Sequence, residues 1–256
     1  AHTIDDAKTL FDAIKGRDEL DSTTIPASHY PTISEKKEQF IGVPRAFLKG
    51  LDKQVNDAFE AALETYAQKG YEIVDIELPY IKHSLATYYV IMFAEASTNL
   101  SRMDGVKFGL HVNGEDLLDD YLKTRSRGFG EEVRRRILLG TYVLSAGYYD
   151  AYYGKASAVR EHIRNDFKQA FQSVDVIATP TTPSVAFKIG EKSDPLSMYL
   201  ADVYTVPLNL AGNPGLSVPM GTVDEEGNEL PLGMQLIGDH LCEERLFETG
   251  KVLETV

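Results

Sequence analysis

A strand–helix–strand unit between residues 40 and 78 constrains the fold of this chain most strongly. The apolar run FIGVP at residues 40–44 predicts a buried strand, and YEIVDIEL after Gly70 predicts a second one. Between them, apolar side chains recur at helical spacing from about Asp52 onward. Because a helix joins the two strands, we expect them to be parallel neighbours with a right-handed crossover.

The rest of the chain continues to alternate helical and extended patterns. Helices are predicted at residues 3–14, 83–102, 115–123 and 131–172 and from about Glu243, and strands at residues 174–178, 215–218 and 233–238. Gly140 and Gly147 are expected to interrupt the long helical stretch or to allow close packing. The polar, proline-containing residues 17–38 predict an extended surface connection. The predicted fold class is α/β, with a mixed and largely parallel sheet flanked by helices.

The amino-acid composition argues against several classes of protein. Of the 256 residues 43% are hydrophobic, which is enough for a buried core, and the formal net charge is -13. An acidic surface repels phosphate, so we expect no direct role in binding nucleic acid or anionic membranes. No apolar run approaches the ~20 residues that span a bilayer, and the single cysteine excludes an internal disulfide. These features predict a soluble cytoplasmic protein.

The common metal, phosphate and nucleophile motifs are missing from the sequence. The six histidines show no metal-ligand spacing, and one cysteine cannot build a standard zinc site, so no metal is expected. Neither a glycine-rich phosphate loop nor a GxSxG nucleophile elbow occurs. Ser34 and Lys37 have the SxxK spacing of some acyl-transfer enzymes. No companion motif accompanies them, so we interpret the spacing as a chance surface match.

Asp202 stands among almost wholly apolar residues in YLADVYTVPLNL. Burying an ionised carboxylate costs several kcal/mol or more unless it pairs with a cation or accepts hydrogen bonds from nearby donors. We therefore expect a partner for Asp202. That partner is either part of the protein, as a helix N-terminus or an internal Lys or Arg, or it is a cationic group of a ligand.

The only basic cluster of the acidic chain is RSRGFGEEVRRR at residues 125–136. One interpretation is a solvated helix start in which Glu132 and Arg136 form an i,i+4 ion pair. The other is that an arginine points inward and offers its planar guanidinium to a carboxylate. An inward arginine and Asp202 together would match the two charged ends of an amino acid. The tyrosines of residues 142–153 have helical spacing, which predicts packing with their hydroxyls at the surface.

Several long stretches of the sequence resemble the amidase signature family, and most closely the A subunits of bacterial glutamyl-tRNA(Gln) amidotransferases. They are YYVIMFAEASTNLSRMDGVKFG, TRSRGFGEEVRRRILLGTYVLSAGYYDAYYGKA, FQSVDVIATPTTPSVAFKIGE and DPLSMYLADVYTVPLNLAGNPGLSVPMG, followed by LPLGMQLIG. They occur in the order and spacing of that family, and the resemblance runs from residue 3 to the end of the chain. It implies the amidase signature fold.

The resemblance also implies that the catalytic residues lie outside this sequence. Members of the family use a serine, a second serine on a cis peptide and a lysine, carried by a Gly/Ser-rich signature that is expected upstream of residue 1. Nothing in the present sequence replaces these groups, and a hydroxyl is a poor nucleophile without a positioned base. Residues 1–256 are therefore expected to be the C-terminal part of a single amidase domain, inactive alone, that supplies substrate-binding walls.

Three residues of this sequence match substrate-binding positions of the family. The resemblance implies that Asp202 contacts the ammonium group of the substrate and that Arg136, the last arginine of EVRRR, contacts its carboxylate. It also implies a tyrosine contact in ATYYVIM, for which we choose Tyr88 over Tyr89. At Arg127, where the family usually has glutamate, the sequence departs from the pattern and adds basic charge.

For the intact protein the resemblance implies a glutamine amidohydrolase that supplies ammonia within a tRNA-dependent amidotransferase. The A subunit would hydrolyse L-glutamine, and the B subunit would use ATP and magnesium to convert glutamyl-tRNA(Gln) into glutaminyl-tRNA(Gln); some relatives also convert aspartyl-tRNA(Asn). The C subunit would clamp the other two, the B subunit would hold the tRNA, and no cofactor is expected on this chain. Two alternatives remain: an amidase acting on another amide, and a binding or scaffold module without catalysis.

Overall fold

The computed structural model describes residues 1–32, 39–107, 109–191 and 194–254, so the SxxK pair, Ser34 and Lys37, lies outside the described residues. The chain divides into two compact units. We call residues 1–85 with 162–256 the sheet unit and residues 86–161 the helical unit. Along the described residues the helices are α1 (Ile4–Ile14), α2 (Lys53–Gln68), α3 (Ser84–Leu100), α4 (Leu117–Gly128), α5 (Glu131–Leu144), α6 (Lys155–Ala170), α7 (Pro195–Leu200), α8 (Val206–Ala211) and α9 (Glu243–Glu254).

The described strands form one mixed sheet. They are β1 (Gln39–Val43), β2 (Tyr71–Asp75), β3 (Val176–Pro180), β4 (Gly215–Glu225) and β5 (Asn228–Gly238), and their order across the sheet is β2-β1-β3-β5-β4. β1 is parallel to both β2 and β3, whereas β5 is antiparallel to β3 and β4. The predicted α/β fold with a mixed sheet is confirmed. Its parallel part contains the predicted strand–helix–strand unit, β1-α2-β2.

The core of the sheet unit lies where α1, α2 and α9 cover the sheet. Phe59 and Tyr66 of α2 are fully buried and share one apolar cluster with Ile41 of β1, Ile4 of α1 and Leu246 of α9. Burying a large apolar side chain contributes about 1.5–3 kcal/mol. The amphipathic spacing of α2 therefore both predicts this helix and explains what holds it against the sheet.

The β4–β5 hairpin is longer than the sequence predicts. The predicted strands at residues 215–218 and 233–238 are only its inner ends, because both strands extend to 11 residues. The chain reverses at Glu226 and Gly227, whose φ angles are 55° and 83°. This left-handed backbone at both central residues is typical of a tight two-residue hairpin turn. The outer half of the hairpin is mostly exposed, so its charged residues obscure the alternation that marks a strand.

Two glycines in the predicted 131–172 helix have different roles. Gly147, with a φ of 87°, follows the end of α5, and a single π-helical turn over Asp150–Gly154 then leads into α6. Gly140 stays inside α5, and a Cβ there would lie 1.9 Å from the carbonyl oxygen of Phe93 in α3. The backbones of α3 and α5 are therefore almost in contact. This close approach fixes where both helices present their side chains.

Several smaller features complete the comparison with the sequence. α4 continues to Gly128, beyond its predicted end, and Asp116 caps it by accepting a hydrogen bond of 2.9 Å from the backbone of Asp119. Residues 17–32 lie mostly at the surface as predicted, but they are not extended throughout. Hydrogen-bonded turns join Asp18, Asp21 and Thr24, and Ala27–His29 form a short helical turn. In the described residues, no helix has both the length and the apolar character to cross a membrane.

Candidate functional site

Arg136 lies on α5, one turn after the acidic start of that helix. Its Nε donates a hydrogen bond of 2.9 Å to Glu132 Oε1, which is the predicted i,i+4 ion pair. Its Nη1 lies 3.7 Å from Met92 Sδ on α3, so the guanidinium also reaches the neighbouring helix. With 37% of its side chain exposed, Arg136 is held in place and still accessible to a solute. The ion-pair interpretation of the sequence is therefore confirmed, and an arginine that offers its guanidinium to the carboxylate of a ligand stays a prediction.

Glu132 organises more than one arginine at the start of α5. Its second carboxylate oxygen pairs with Arg135, which also lies 3.2 Å from Glu131. Such half-exposed pairs contribute only about 0.3–0.5 kcal/mol each to helix stability. Their main effect is geometric, because one carboxylate sets the orientation of two guanidinium groups.

Tyr88 lies on α3 one helical turn before Met92, the residue that Arg136 contacts. Residues four apart on a helix share one face, so Tyr88 and Arg136 belong to the same region of the helical unit. Tyr89 instead packs against Phe93, with ring centroids 5.5 Å apart. The rings of Tyr88 and Tyr89 meet edge to face at 5.3 Å. The choice of Tyr88 over Tyr89 and the contact of Tyr88 with a substrate both stay predictions.

Asp202 belongs to the sheet unit, and its expected burial is wrong. The residue is exposed in the turn between α7 and α8. Its backbone carbonyl accepts hydrogen bonds from Thr205 (3.1 Å) and Val206 (3.0 Å), which start α8. In this tight helical turn the apolar neighbours Tyr204 and Val206 are buried in the core. The apolar stretch therefore surrounds Asp202 in sequence only, and the residue itself lies at the surface.

Gln235 anchors the segment that carries Asp202, a role that the sequence patterns above do not predict. This buried β5 residue donates hydrogen bonds to Thr179 Oγ1 (3.0 Å) and to the Tyr204 carbonyl (2.8 Å). The ring of Tyr204 in turn meets Phe47 edge to face at 5.4 Å. The available signal was the single amide side chain in the apolar strand LPLGMQLIG. A buried amide is retained only where its polar atoms have partners.

Two side-chain hydroxyls, those of Thr181 and Ser217, lie next to Gln235 on the same face of the sheet. Thr181 Oγ1 and Ser217 Oγ are 3.1 Å apart, and a Cβ at Gly233 would lie within 3.0 Å of both. No basic side chain of the described residues hydrogen-bonds to either hydroxyl. Without a base to accept the proton, these hydroxyls are poor nucleophiles.

Cys242 is also a poor nucleophile. The thiol is half-buried near the start of α9. Burial, together with the nearby carboxylates of Asp239 and Glu243, raises the pKa of the thiol. The reactive thiolate form is therefore disfavoured at neutral pH.

The amidase family profile matches residues 1–247 of the chain. The chain belongs to the amidase family. The chain is 49% identical over 257 residues to the A subunit of glutamyl-tRNA(Gln) amidotransferase from Thermodesulfovibrio yellowstonii, covering 98% of the chain and 52% of that protein. It is 48% identical to the corresponding protein of Caldanaerobacter subterraneus subsp. tengcongensis, with 98% and 52% coverage. The resemblance found in the sequence is confirmed.

Solved structures agree with this assignment. The chain aligns with the crystal structure of the A subunit of glutamyl-tRNA(Gln) amidotransferase from Thermotoga maritima at a TM-score of 0.71 and 38% identity, covering 96% of the chain and 49% of that structure. A crystal structure described only as an amidase aligns at a TM-score of 0.71 and 24% identity, covering 99% of the chain and 51% of that structure, which supports the fold alone. The chain spans about half the length of the curated relatives that it matches.

Proposed function

We propose that this amidase chain provides the substrate-binding part of a glutamine amidohydrolase, the A subunit of a tRNA-dependent amidotransferase. The observation that carries the proposal is the 49% identity to such a protein over 98% of the chain. The alignment includes the segments of all three candidate site residues, Tyr88, Arg136 and Asp202. The sequence identity therefore extends over the segments that carry the candidate site residues as well as over the rest of the fold.

The proposed ligand is the zwitterion L-glutamine. Arg136 would bind its carboxylate, because a guanidinium fork matches the geometry of a carboxylate. Asp202 would bind its ammonium group, and Tyr88 would contact the substrate beside Arg136. The accessibility of Arg136 and Asp202 supports these roles, since a small ligand must reach both charges. Binding both ends would orient the side-chain amide for attack, which is the positioning part of catalysis.

The catalytic groups are proposed to come from a Gly/Ser-rich signature segment outside residues 1–256. Its serine would attack the side-chain amide carbon of glutamine, with the second serine and the lysine handling the proton. The C–N bond then breaks and releases ammonia, and water hydrolyses the glutamyl ester to glutamate and free serine. The hydroxyls of Thr181 and Ser217, which have no described basic partner, give this chain no substitute nucleophile.

The remaining steps would belong to partner proteins, the B and C subunits of the amidotransferase. Ammonia would pass to the B subunit, which would hold the tRNA and use ATP and Mg²⁺, and the C subunit would clamp the other two. The net charge of -13 is consistent with tRNA binding elsewhere than on this surface. Glutamyl-tRNA(Gln) is the proposed acceptor and the cytoplasm the proposed location.

The test is ammonia release from L-glutamine by the purified chain, alone and mixed with a polypeptide that supplies the signature half of a close relative. We expect activity only in the mixture. The control is the same signature half with its nucleophilic serine replaced by alanine, which should give none. Activity of the chain alone would refute the proposed division. A mixture that prefers another amide would favour a different amidase, and one that binds glutamine without hydrolysis would favour a binding module.

A further inference from the structure

A cleft in the helical unit is lined by neither Tyr88 nor Arg136. It has a volume of about 560 Å³ and is formed by α4 and the loop that precedes it. Its lining residues are Val112, Leu122, Lys123, Ser126 and Arg127. The cleft is therefore lined by two apolar side chains, two cations and a hydroxyl. Four of these side chains lie on α4, and Val112 lies on the preceding loop.

The loop wall of the cleft is fixed to α4 by hydrogen bonds. The buried Thr124 side chain accepts a bond of 2.9 Å from the Val112 backbone N–H. Nearer the start of α4, the Glu115 backbone N–H donates to Asp119 Oδ2 at 2.9 Å, and Gly114 donates to Asp120. These bonds hold Val112 opposite Leu122 before any ligand arrives. A preformed cleft lowers the entropic cost of binding.

The apolar side of the cleft continues along α4. Leu122 is 61% exposed, and Leu118, one turn earlier on the same face, is 67% exposed. A row of exposed leucines beside a cleft is typical of an interaction surface. The row extends beyond the cleft lining, so its length suits a polypeptide better than a small molecule.

The charged side of the cleft is basic in an otherwise acidic chain. Lys123 and Arg127 are four residues apart and share a face of α4. Lys123 already pairs with Asp119 at 2.6 Å. Among the described residues, Arg127 has no ion-pair or hydrogen-bond partner, and it is exposed. The cleft therefore presents one uncompensated cation next to its apolar row, although the net charge of the chain is -13.

From these observations we propose that the α4 cleft binds an acidic amphipathic segment of a partner polypeptide. Leucine-like side chains of the segment would cover Leu118 and Leu122 and enter the cleft beside Val112. Carboxylates on its flank would pair with Arg127 and Lys123. The proposal does not depend on glutamine hydrolysis, because none of these residues belongs to the proposed substrate site.

The probe is a fluorescein-labelled peptide of about 18 residues, helix-forming, with leucines at i, i+3 and i+4 spacing and glutamates on one flank. Fluorescence anisotropy would measure its binding to the full chain. We expect Arg127→Glu and Leu122→Ser each to weaken binding by about tenfold, and added salt to weaken it further. The matched controls are Arg17→Glu and Leu20→Ser, the same changes at exposed positions of the sheet unit, which should leave binding unchanged.

A peptide of reversed charge provides a second test. A peptide with lysine in place of glutamate should bind the Arg127→Glu variant better than the wild-type chain. Equal weakening by Arg127→Glu and Arg17→Glu would show a nonspecific charge effect and overturn the proposal. Absence of peptide binding would also overturn it. A dimer in sedimentation that Leu122→Ser abolishes would then assign the face to a second copy of the chain.

Discussion

Replacing Gly140 with alanine tests the packing that supports Arg136. Alanine normally stabilises a helix interior by about 1 kcal/mol relative to glycine. Here the new Cβ would lie 1.9 Å from the Phe93 carbonyl oxygen and 2.6 Å from Ser97 Cβ, whereas ordinary contact begins near 3.4 Å. α3 and α5 would have to separate by about 1.5 Å, and such overpacking typically costs about 1–3 kcal/mol or more. Because the clash is with backbone, we take the upper part of this range, about 2–3 kcal/mol; after subtraction of the helix gain of about 1 kcal/mol, the expected net destabilisation is about 1–2 kcal/mol.

Urea unfolding followed by circular dichroism measures this effect as a lower midpoint for Gly140→Ala. The matched control is Gly154→Ala, because a Cβ at Gly154 would have no neighbour closer than 3.8 Å. The control should unfold at the wild-type midpoint or slightly above it. If Gly140→Ala is as stable as the control, the close approach of α3 and α5 is wrong, and with it the placement of Arg136 beside Met92.

Three further predictions concern individual side chains. In the reconstituted amidase, Glu132→Ala should raise KM for L-glutamine about fivefold without changing kcat, because Arg136 loses its orienting partner, and Glu132→Gln should restore part of the loss; an unchanged KM would contradict this role. Gln235→Ala should lower the free energy of unfolding by about 2–4 kcal/mol, since two buried polar groups lose their donor, while the exposed Gln172→Ala should change it by less than about 0.5 kcal/mol; similar midpoints in urea would refute the network. A hydrogen bond with Tyr148 raises the pKa of Tyr142 to about 12. The contribution of this hydrogen bond to folding stability is therefore complete below pH 10 and is lost as the pH rises towards 12. In a spectrophotometric titration Tyr142→Phe should remove a tyrosine that ionises near pH 12; loss of one that ionises near pH 10 would contradict the assignment.

The parts of the fold that the sequence predicts are those governed by local patterns. The apolar face of α2 and the strands on either side of it follow from the spacing of apolar residues within a few positions. The ion pair of Glu132 with Arg136 is equally local, because it joins adjacent turns of one helix. These features need no knowledge of the rest of the fold.

The features that the sequence does not predict depend on contacts between distant segments. The orientation of the turn that carries Asp202 determines whether its side chain is buried or exposed. The apolar residues on both sides of it in the sequence suggested burial, whereas the residue is exposed. The role of Gln235 depends on the folded arrangement, because its amide reaches Thr179 and the Tyr204 carbonyl only when β5 lies beside β3. The sequence left open whether Gly140 interrupts a helix or packs closely, and the approach of α3 decides it. For Gln235 and Gly140 the deciding neighbour is more than thirty residues away.

Analogues that lack one charged end of glutamine test the proposed substrate roles of Arg136 and Asp202 directly. Glutaramate lacks the α-amino group, and 4-aminobutanamide lacks the α-carboxylate. The measurement is kcat/KM for L-glutamine and both analogues with the reconstituted amidase and its variants Arg136→Ala and Asp202→Asn.

We expect each variant to lose about 1.5 kcal/mol or more of transition-state stabilisation with L-glutamine, which is at least about tenfold in kcat/KM. Arg136→Ala should cost as much with glutaramate and nothing with 4-aminobutanamide, and Asp202→Asn should show the reverse pattern. If either variant affects all three substrates equally, or leaves L-glutamine unaffected, that residue does not bind the assigned end of the substrate.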